Sequence, residues 1–398
     1  MPIVIYVLGA TIFALTTSEF MVAGMMPSLT AAFHVTVTEI GYLISLYAAG
    51  MVIGGPLLTF GLLRMNIPHK RALLWLLLVY AVGGTLAAMA SGYGTLAAAR
   101  VVTGVAGSAC FGVALAICAD IVGPASGGRA ASIVLGGLML STVFGVPIAT
   151  VVDAHFGWRA SFWLVVALTV LCGGVIAAMV PASRKAEAVS LGAELSAFGN
   201  RHLWAAFATS ALIIGATFAA FSYFAPIATQ VAGFSAAAVP VLLAVYGTAN
   251  VVGNAVVGRF ADRHAIPILL GGLTVLAATL AVFAGFADNK IVAVAGFVLI
   301  GLAGVPMNPA MIARVIRTAH PGPLVNTVHT SVINIGLGVG SWMGGLGIGA
   351  GYGLRSPLWV GVGLAVVGLL SLLPYLGSRR RGGVPALESA RPAPDSLC

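Results

Sequence analysis

The chain has 398 residues, of which 60% are hydrophobic and only 7% charged. Soluble domains carry about 25% charged residues, so this composition excludes a soluble globular protein and reads as an integral membrane protein. The net charge of +9 is scattered through short loops, which fits topology signals and argues against nucleic-acid binding.

The first apolar run, residues 3–26, would make a helix of roughly 36 Å at 1.5 Å per residue, enough to cross a bilayer core. Within it stands Thr16-Thr17-Ser18-Glu19-Phe20. A carboxylate at that depth costs on the order of 2.5–3.5 kcal/mol and marks an ion or substrate pathway. The run lacks a basic start and is too long for a cleaved signal peptide. Apolar stretches long enough to span then recur, separated by polar or Gly/Pro breaks. The expected spans are 3–27, 38–62, 71–90, 95–118, 130–152, 160–180, 203–229, 236–260, 266–286, 289–311, 327–350 and 356–376. The fold class is therefore an all-α membrane protein with twelve transmembrane helices.

The longest polar link, 181–202, divides a bundle at 1–180 from one at 203–376. The tail, 377–398, rich in Pro, Ala and Arg, reads as disordered, with Arg379-Arg380-Arg381 against lipid headgroups. With the N-terminus cytoplasmic, fifteen of the 19 basic residues fall on the cytoplasmic side. The outer loops keep Arg159, Lys290 and Arg355, and Arg100 lies inside the fourth helix. Both termini are expected in the cytoplasm, with the chain multi-pass in the plasma membrane.

The halves repeat. A constant shift of 199 residues places Pro27 on Pro226, Tyr47 on Tyr246, Gly54 on Gly253, Arg64 on Arg263, Ile67-Pro68 on Ile266-Pro267 and Gly145 on Gly344. Two parallel six-helix repeats around a midplane site are the architecture of a rocking transporter. The same shift puts Glu19 on Phe218 and Arg100 on Leu299, so buried charge is expected only in the first half.

Glu19 and Arg100 lie at matching depth, roughly 8–10 Å inside the same face. They read as a proton-coupling pair, or as a carboxyl whose proton affinity the Arg controls; a static bridge between helices is the plainer alternative. Asp262, with Arg259 and Arg263, sits in the loop after the eighth helix and could latch one conformation at a neighbouring helix end. Gly145 and Pro147 allow a bend and a close approach in the fifth helix, and Pro306 and Pro309 repeat that device in the tenth. Candidate substrate contacts are Thr16, Thr103, Phe218, Phe221, Tyr246, Asn250, Met307, Asn308 and Asn334, with Tyr223, Asn254 and His329 as further candidates. Together they describe a mostly apolar site with a few amides, suited to a neutral or cationic amphiphile.

These segments resemble the Major Facilitator Superfamily, in particular its twelve-helix drug:proton antiporter branch and, within it, bacterial sugar-efflux and chloramphenicol-resistance exporters. The likeness is carried by Thr17-Ser18-Glu19-Phe20-Met21, Arg100-Val101-Val102-Thr103-Gly104, Gly145-Val146-Pro147, Gly157-Trp158-Arg159-Ala160-Ser161-Phe162 and the Asp262-Arg263 loop. It implies export of a small molecule in exchange for protons. It would place Arg100 in a proton relay, Gly145 and Pro147 in the antiporter motif, and Asp262 in the gating loop. The chain departs from the pattern at Leu63, at Ala149 and in Thr150-Val151-Val152-Asp153.

The expected function is proton-coupled efflux by alternating access, with a sugar or nucleoside facilitator or symporter as the alternative. No His, Asp or Cys cluster suggests a membrane enzyme, and no phosphate-binding Gly-x-x-x-x-Gly-Lys-Ser/Thr suggests ATP drive. The expected partners are a small-molecule substrate, protons and the bilayer, without a cofactor or metal, and the expected state is a monomer.

Overall fold

The computed structural model describes residues 1–65, 67–122, 127–181, 198–318 and 323–375. The expected linker, apart from its ends, and the expected tail lie outside them. In order the helices are α1 (Ile3–Gly24), α2 (Met26–Phe33), α3 (Val37–Arg64), α4 (His69–Ala88), α5 (Tyr93–Val122), α6 (Gly127–Leu140), α7 (Val146–Phe156) and α8 (Trp158–Met179). The second half has α9 (Arg201–Phe221), α10 (Val239–Gly285), α11 (Lys290–Ala303), α12 (Asn308–Thr318), α13 (Pro323–Gly347) and α14 (Ser356–Leu372).

Among the described residues eleven segments are long and apolar enough to cross a membrane. α10 accounts for two crossings. Its 47 residues would extend about 70 Å if straight, more than twice a bilayer core. Its helical dihedrals fail at His264 (φ −129°, ψ 31°). Before that break Tyr246 packs on Gly301 and Gly253 on Leu302 and Pro306, so α10 and the segment 290–318 run parallel. After it Gly272 meets Met307 and Phe283 meets Gly296, so they run in opposite directions. The chain reverses at His264, and the crossings number twelve.

The repeat is visible in packing. In the first half the carbonyl of Tyr47 lies where a side chain at Gly104 would stand, and in the second that of Tyr246 does so at Gly301. Likewise Gly137 admits the backbone of α1 at Gly9, and Gly336 admits that of α9 at Ala211. Small residues at these points let helix backbones touch, the main source of helix association in lipid.

The basic residues of α4, α6 and α9 stand at the helix ends that begin those crossings, which defines a basic end of the bundle. At the opposite end two arginines staple hairpins in matching ways. Gly157, with φ +85°, starts α8 in a conformation that favours glycine, and Arg159 two residues on donates to the carbonyl of Ala90 at 2.9 Å. Gly353, with φ +75°, does the same before α14. There Arg355 donates to the carbonyl of Gly285 at 3.2 Å and pairs with Asp288 at 3.0 Å.

The halves are sealed to each other at this opposite end. α3 and α13 run antiparallel and exchange side-chain-to-carbonyl bonds over 38–45 and 338–345. Thr38 donates to Gly345 at 3.1 Å, Ser341 to Gly41 at 3.2 Å and Ser45 to Gly338 at 2.9 Å. A lateral groove of about 330 Å³ lies between them from Ser45 and Gly338 toward the basic end, where Val52, Ile53, Asn334 and Ile335 line it. On the other side of the bundle Gly247 of α10 lies against the backbone of Thr142 and Val143.

Two expectations need correcting. Arg314, one of the fifteen basic residues expected on the cytoplasmic side beyond the span 289–311, instead lies in α12, which runs on to Thr318 and buries it, leaving 5% exposed. It donates to Thr209 at 2.8 Å and stacks 4.7 Å from the Tyr375 ring centre. Buried charge is therefore not confined to the first half. Asp262 is not in a loop either, since the helix continues past it to His264.

Candidate functional site

Arg100 is fully buried, and the structure shows how the first half accommodates it. Gly104, one turn on, lets α3 approach at Tyr47, which lays the Tyr47 ring 4.2 Å from the guanidinium carbon. Nη1 donates to the Ser18 carbonyl at 2.7 Å and Nη2 to the Glu19 carbonyl at 2.9 Å. The planar fork of arginine matches two adjacent acceptors, and a cation is favoured near the last turn of α1. Tyr80 adds a bond to the carbonyl of Leu15 at 3.2 Å.

The expected pair thus takes another form: Arg100 grips the backbone of Glu19, and its carboxylate makes no ion pair among the described residues. Those residues contain the ion pair Arg355–Asp288 at 3.0 Å and a His69–Asp120 contact at 2.8 Å. The Glu19 side chain is half-buried, with Arg100, Tyr47 and Tyr80 as its polar neighbours.

Next to Glu19, Phe20 reaches the second half. Its ring centre lies 5.4 Å from that of Phe218 and 6.0 Å from that of Phe221. Phe221 in turn stacks on Tyr246 at 4.8 Å. Phe218, Phe221 and Tyr246 are therefore brought together beside the carboxyl-bearing turn. Asn250, one turn beyond Tyr246, is 2% exposed. Its Oδ1 and that of Asn308 are buried without a hydrogen-bond partner, and buried amides of this kind call for a donor.

Gly145 and Pro147 flank the point where the fifth crossing changes pitch. Ser141–Gly145 forms a π-turn ahead of α7, and such turns gather at functional positions. A side chain on Gly145 would strike Thr17 of α1, whose hydroxyl lies 3.3 Å from that of Ser141. Pro147 has no N–H to donate, which eases the change of register. The tenth crossing is also interrupted, with Val305–Met307 in a tight turn between α11 and α12.

Other candidates lie elsewhere. Thr103 spends its hydroxyl on the Ala99 carbonyl at 2.9 Å and turns its methyl to Gly83. Met307 is buried against Gly272 within the second half. Thr16 is buried, and Asn334 lines the lateral groove. Tyr223 belongs to the seal, donating to Ser341 at 2.8 Å. His329 bonds Ser210 at 3.0 Å and stacks on Phe207. Arg259, Asp262 and Arg263 are exposed, and Asp262 has no partner among the described residues. Sequence reasoning missed Phe20 and Tyr47 as members of the site, although the Tyr47–Tyr246 repeat pointed at the latter.

The family model described as Major Facilitator Superfamily matches residues 8–328. The chain is 32% identical to the uncharacterized MFS-type transporter YtbD of Bacillus subtilis over 92% of this chain and 93% of that one. It is 30% identical to a chloramphenicol resistance protein of Streptomyces lividans, covering 94% and 96%. It is 29% identical to the inner membrane transport protein YdhP of Escherichia coli, covering 96% of each. Among solved structures, a bacterial homologue of the human lysosomal transporter Spinster, inward-facing and unoccupied, superposes with a TM-score of 0.73 at 17% identity, covering 94% of this chain and 96% of that one. With its duplicated six-helix halves and a family match across most of its length, the chain belongs to the Major Facilitator Superfamily and is a membrane transporter rather than an enzyme.

Proposed function

We propose that the protein exports small amphiphilic molecules in exchange for protons. The observation that carries this reading is the state of Glu19. Its carboxyl lies at membrane depth beside a guanidinium already committed to two carbonyls and a tyrosine ring. An ionised carboxylate there is costly, and either a proton or a cationic or hydrogen-bond-donating substrate offsets that cost. Two ligands that satisfy one group compete for it, and competition across an alternating gate is antiport. The aromatic surface of Phe20, Phe218, Phe221 and Tyr246 suits a flat apolar moiety, and the free acceptors of Asn250 and Asn308 suit its donors. The chloramphenicol resistance relative supports a drug-like cargo.

The excess of Lys and Arg at the basic end supports a cytoplasmic location for it, in the plasma membrane. With the seal at the opposite end, this reading makes the outer side the closed one in this conformation. Asp262 would engage a partner as a gate only in the other state. In proteoliposomes with an acidic lumen, a panel of sugars, nucleosides and phenicol antibiotics should include compounds that accumulate only while the gradient lasts. Equilibration of every transported compound regardless of the gradient would instead identify a facilitator.

A further inference from the structure

A second acid in the first half has no place in the account above. Asp153 sits in the last turn of α7 and is 7% exposed. The Ser28 hydroxyl of α2 donates to its Oδ2 at 2.6 Å, and its Oδ1 is buried without a hydrogen-bond partner. Among the described residues no cation pairs with it. From α8, Arg159 is turned to the Ala90 carbonyl and the Trp158 ring. On its own helix, His155 is exposed and bonded to the Val151 carbonyl at 2.9 Å. From α1 and α10, the groups that meet this face of α7 are Gly24 and Leu243, beside Thr150. From α2, Ser28 is the polar contact.

A negative charge here would lack a counter-ion and would face the negative end of its own helix dipole. It would also leave one oxygen dry, which costs far more for an ion than for a neutral acid. We propose that Asp153 is a second proton-binding site. Its carboxyl is carried as the neutral acid, with the proton on Oδ1 and Oδ2 accepting from Ser28, while the end opposite the basic end is sealed. Opening of that end admits water; the O–H bond breaks, the proton passes to water, and the carboxylate is hydrated where it stood dry. The proton thus exchanges with the side opposite the basic end. Its contribution to turnover rests on the proton-driven reading proposed above, whereas the protonation state itself does not.

The test is infrared difference spectroscopy of the full chain in lipid at neutral pH, wild type minus Asp153→Asn. The expected result is a carboxylic acid C=O band that the variant lacks and that persists in a Glu19→Gln background. Ser28→Ala leaves the carboxyl in place and should move the band to higher frequency, which keeps the test open if the first variant fails to fold. A difference spectrum holding only carboxylate bands would overturn the proposal and leave the role of Glu19 untouched. Spin labels on Ala154→Cys and Tyr352→Cys report separation of the halves at this end. Alkaline titration should ionise the acid band and lengthen that distance together. Ionisation with an unchanged distance would overturn the link to opening.

Discussion

The two halves place a tyrosine at the same point and use it differently. Tyr47 and Tyr246 are repeat partners, and each lays its carbonyl over a glycine two crossings on. In the first half the ring supports the Arg100 guanidinium at 4.2 Å; in the second it supports the Phe221 ring at 4.8 Å. At a shift of 199 residues Glu19 falls on Phe218 and Arg100 on Leu299, which is 39% exposed, so neither charge is repeated there. A duplicated scaffold has thus kept its packing and divided its chemistry, with charge on one side of the junction and aromatic surface on the other.

The sharpest way to break this contrast is Arg100→Lys. An ammonium keeps the charge but cannot bond both carbonyls while stacking on Tyr47. The loss of one charge-assisted bond predicts a destabilisation of about 1.5–3 kcal/mol, read as a fall in the unfolding midpoint of the purified protein. The corresponding Leu299→Ala should cost less, because it removes no polar contact. Next come the paired glycines. Gly104→Val and Gly301→Val each drive a side chain into a tyrosine carbonyl, and overpacking of this kind costs about 1–3 kcal/mol. The two should lose similar stability, whereas only the first should also disturb Arg100.

Tyr246→Leu should be milder. Removing one stacked pair within the protein is worth about 0.5–1.5 kcal/mol of stability, read as a small fall in the unfolding midpoint, and apparent substrate affinity in transport assays should weaken with it. The smallest effect is expected from Asp262→Asn. The side chain has no partner among the described residues, so the stability of this conformation should move by no more than about 0.5 kcal/mol. If Asp262 latches the other state, the effect falls on transport rate alone.

How much of this was legible in the sequence follows from which forces leave a pattern. Twelve crossings did, because bilayer thickness sets the length of each apolar run. The hairpin reversal at His264 did too, through the polar break between the expected spans 236–260 and 266–286. The partners of Arg100 did not, since backbone carbonyls carry no residue identity. Phe20 was hidden as one apolar residue in an apolar helix. Arg314 was misread because a cation near a helix end looks the same in sequence whether it snorkels to water or folds inward onto Thr209. Asp153 stood out only as a departure from an expected run of small residues.

The central claim is that the Glu19 carboxyl, rather than the buried arginine, carries the coupling. Glu19→Gln tests it most directly, because the amide preserves shape and backbone, and so the grip of Arg100 on α1. In proteoliposomes loaded with a compound that wild type accumulates, the variant should keep substrate-for-substrate exchange and lose accumulation driven by an acidic lumen. Undiminished gradient-driven accumulation by the variant would contradict the account.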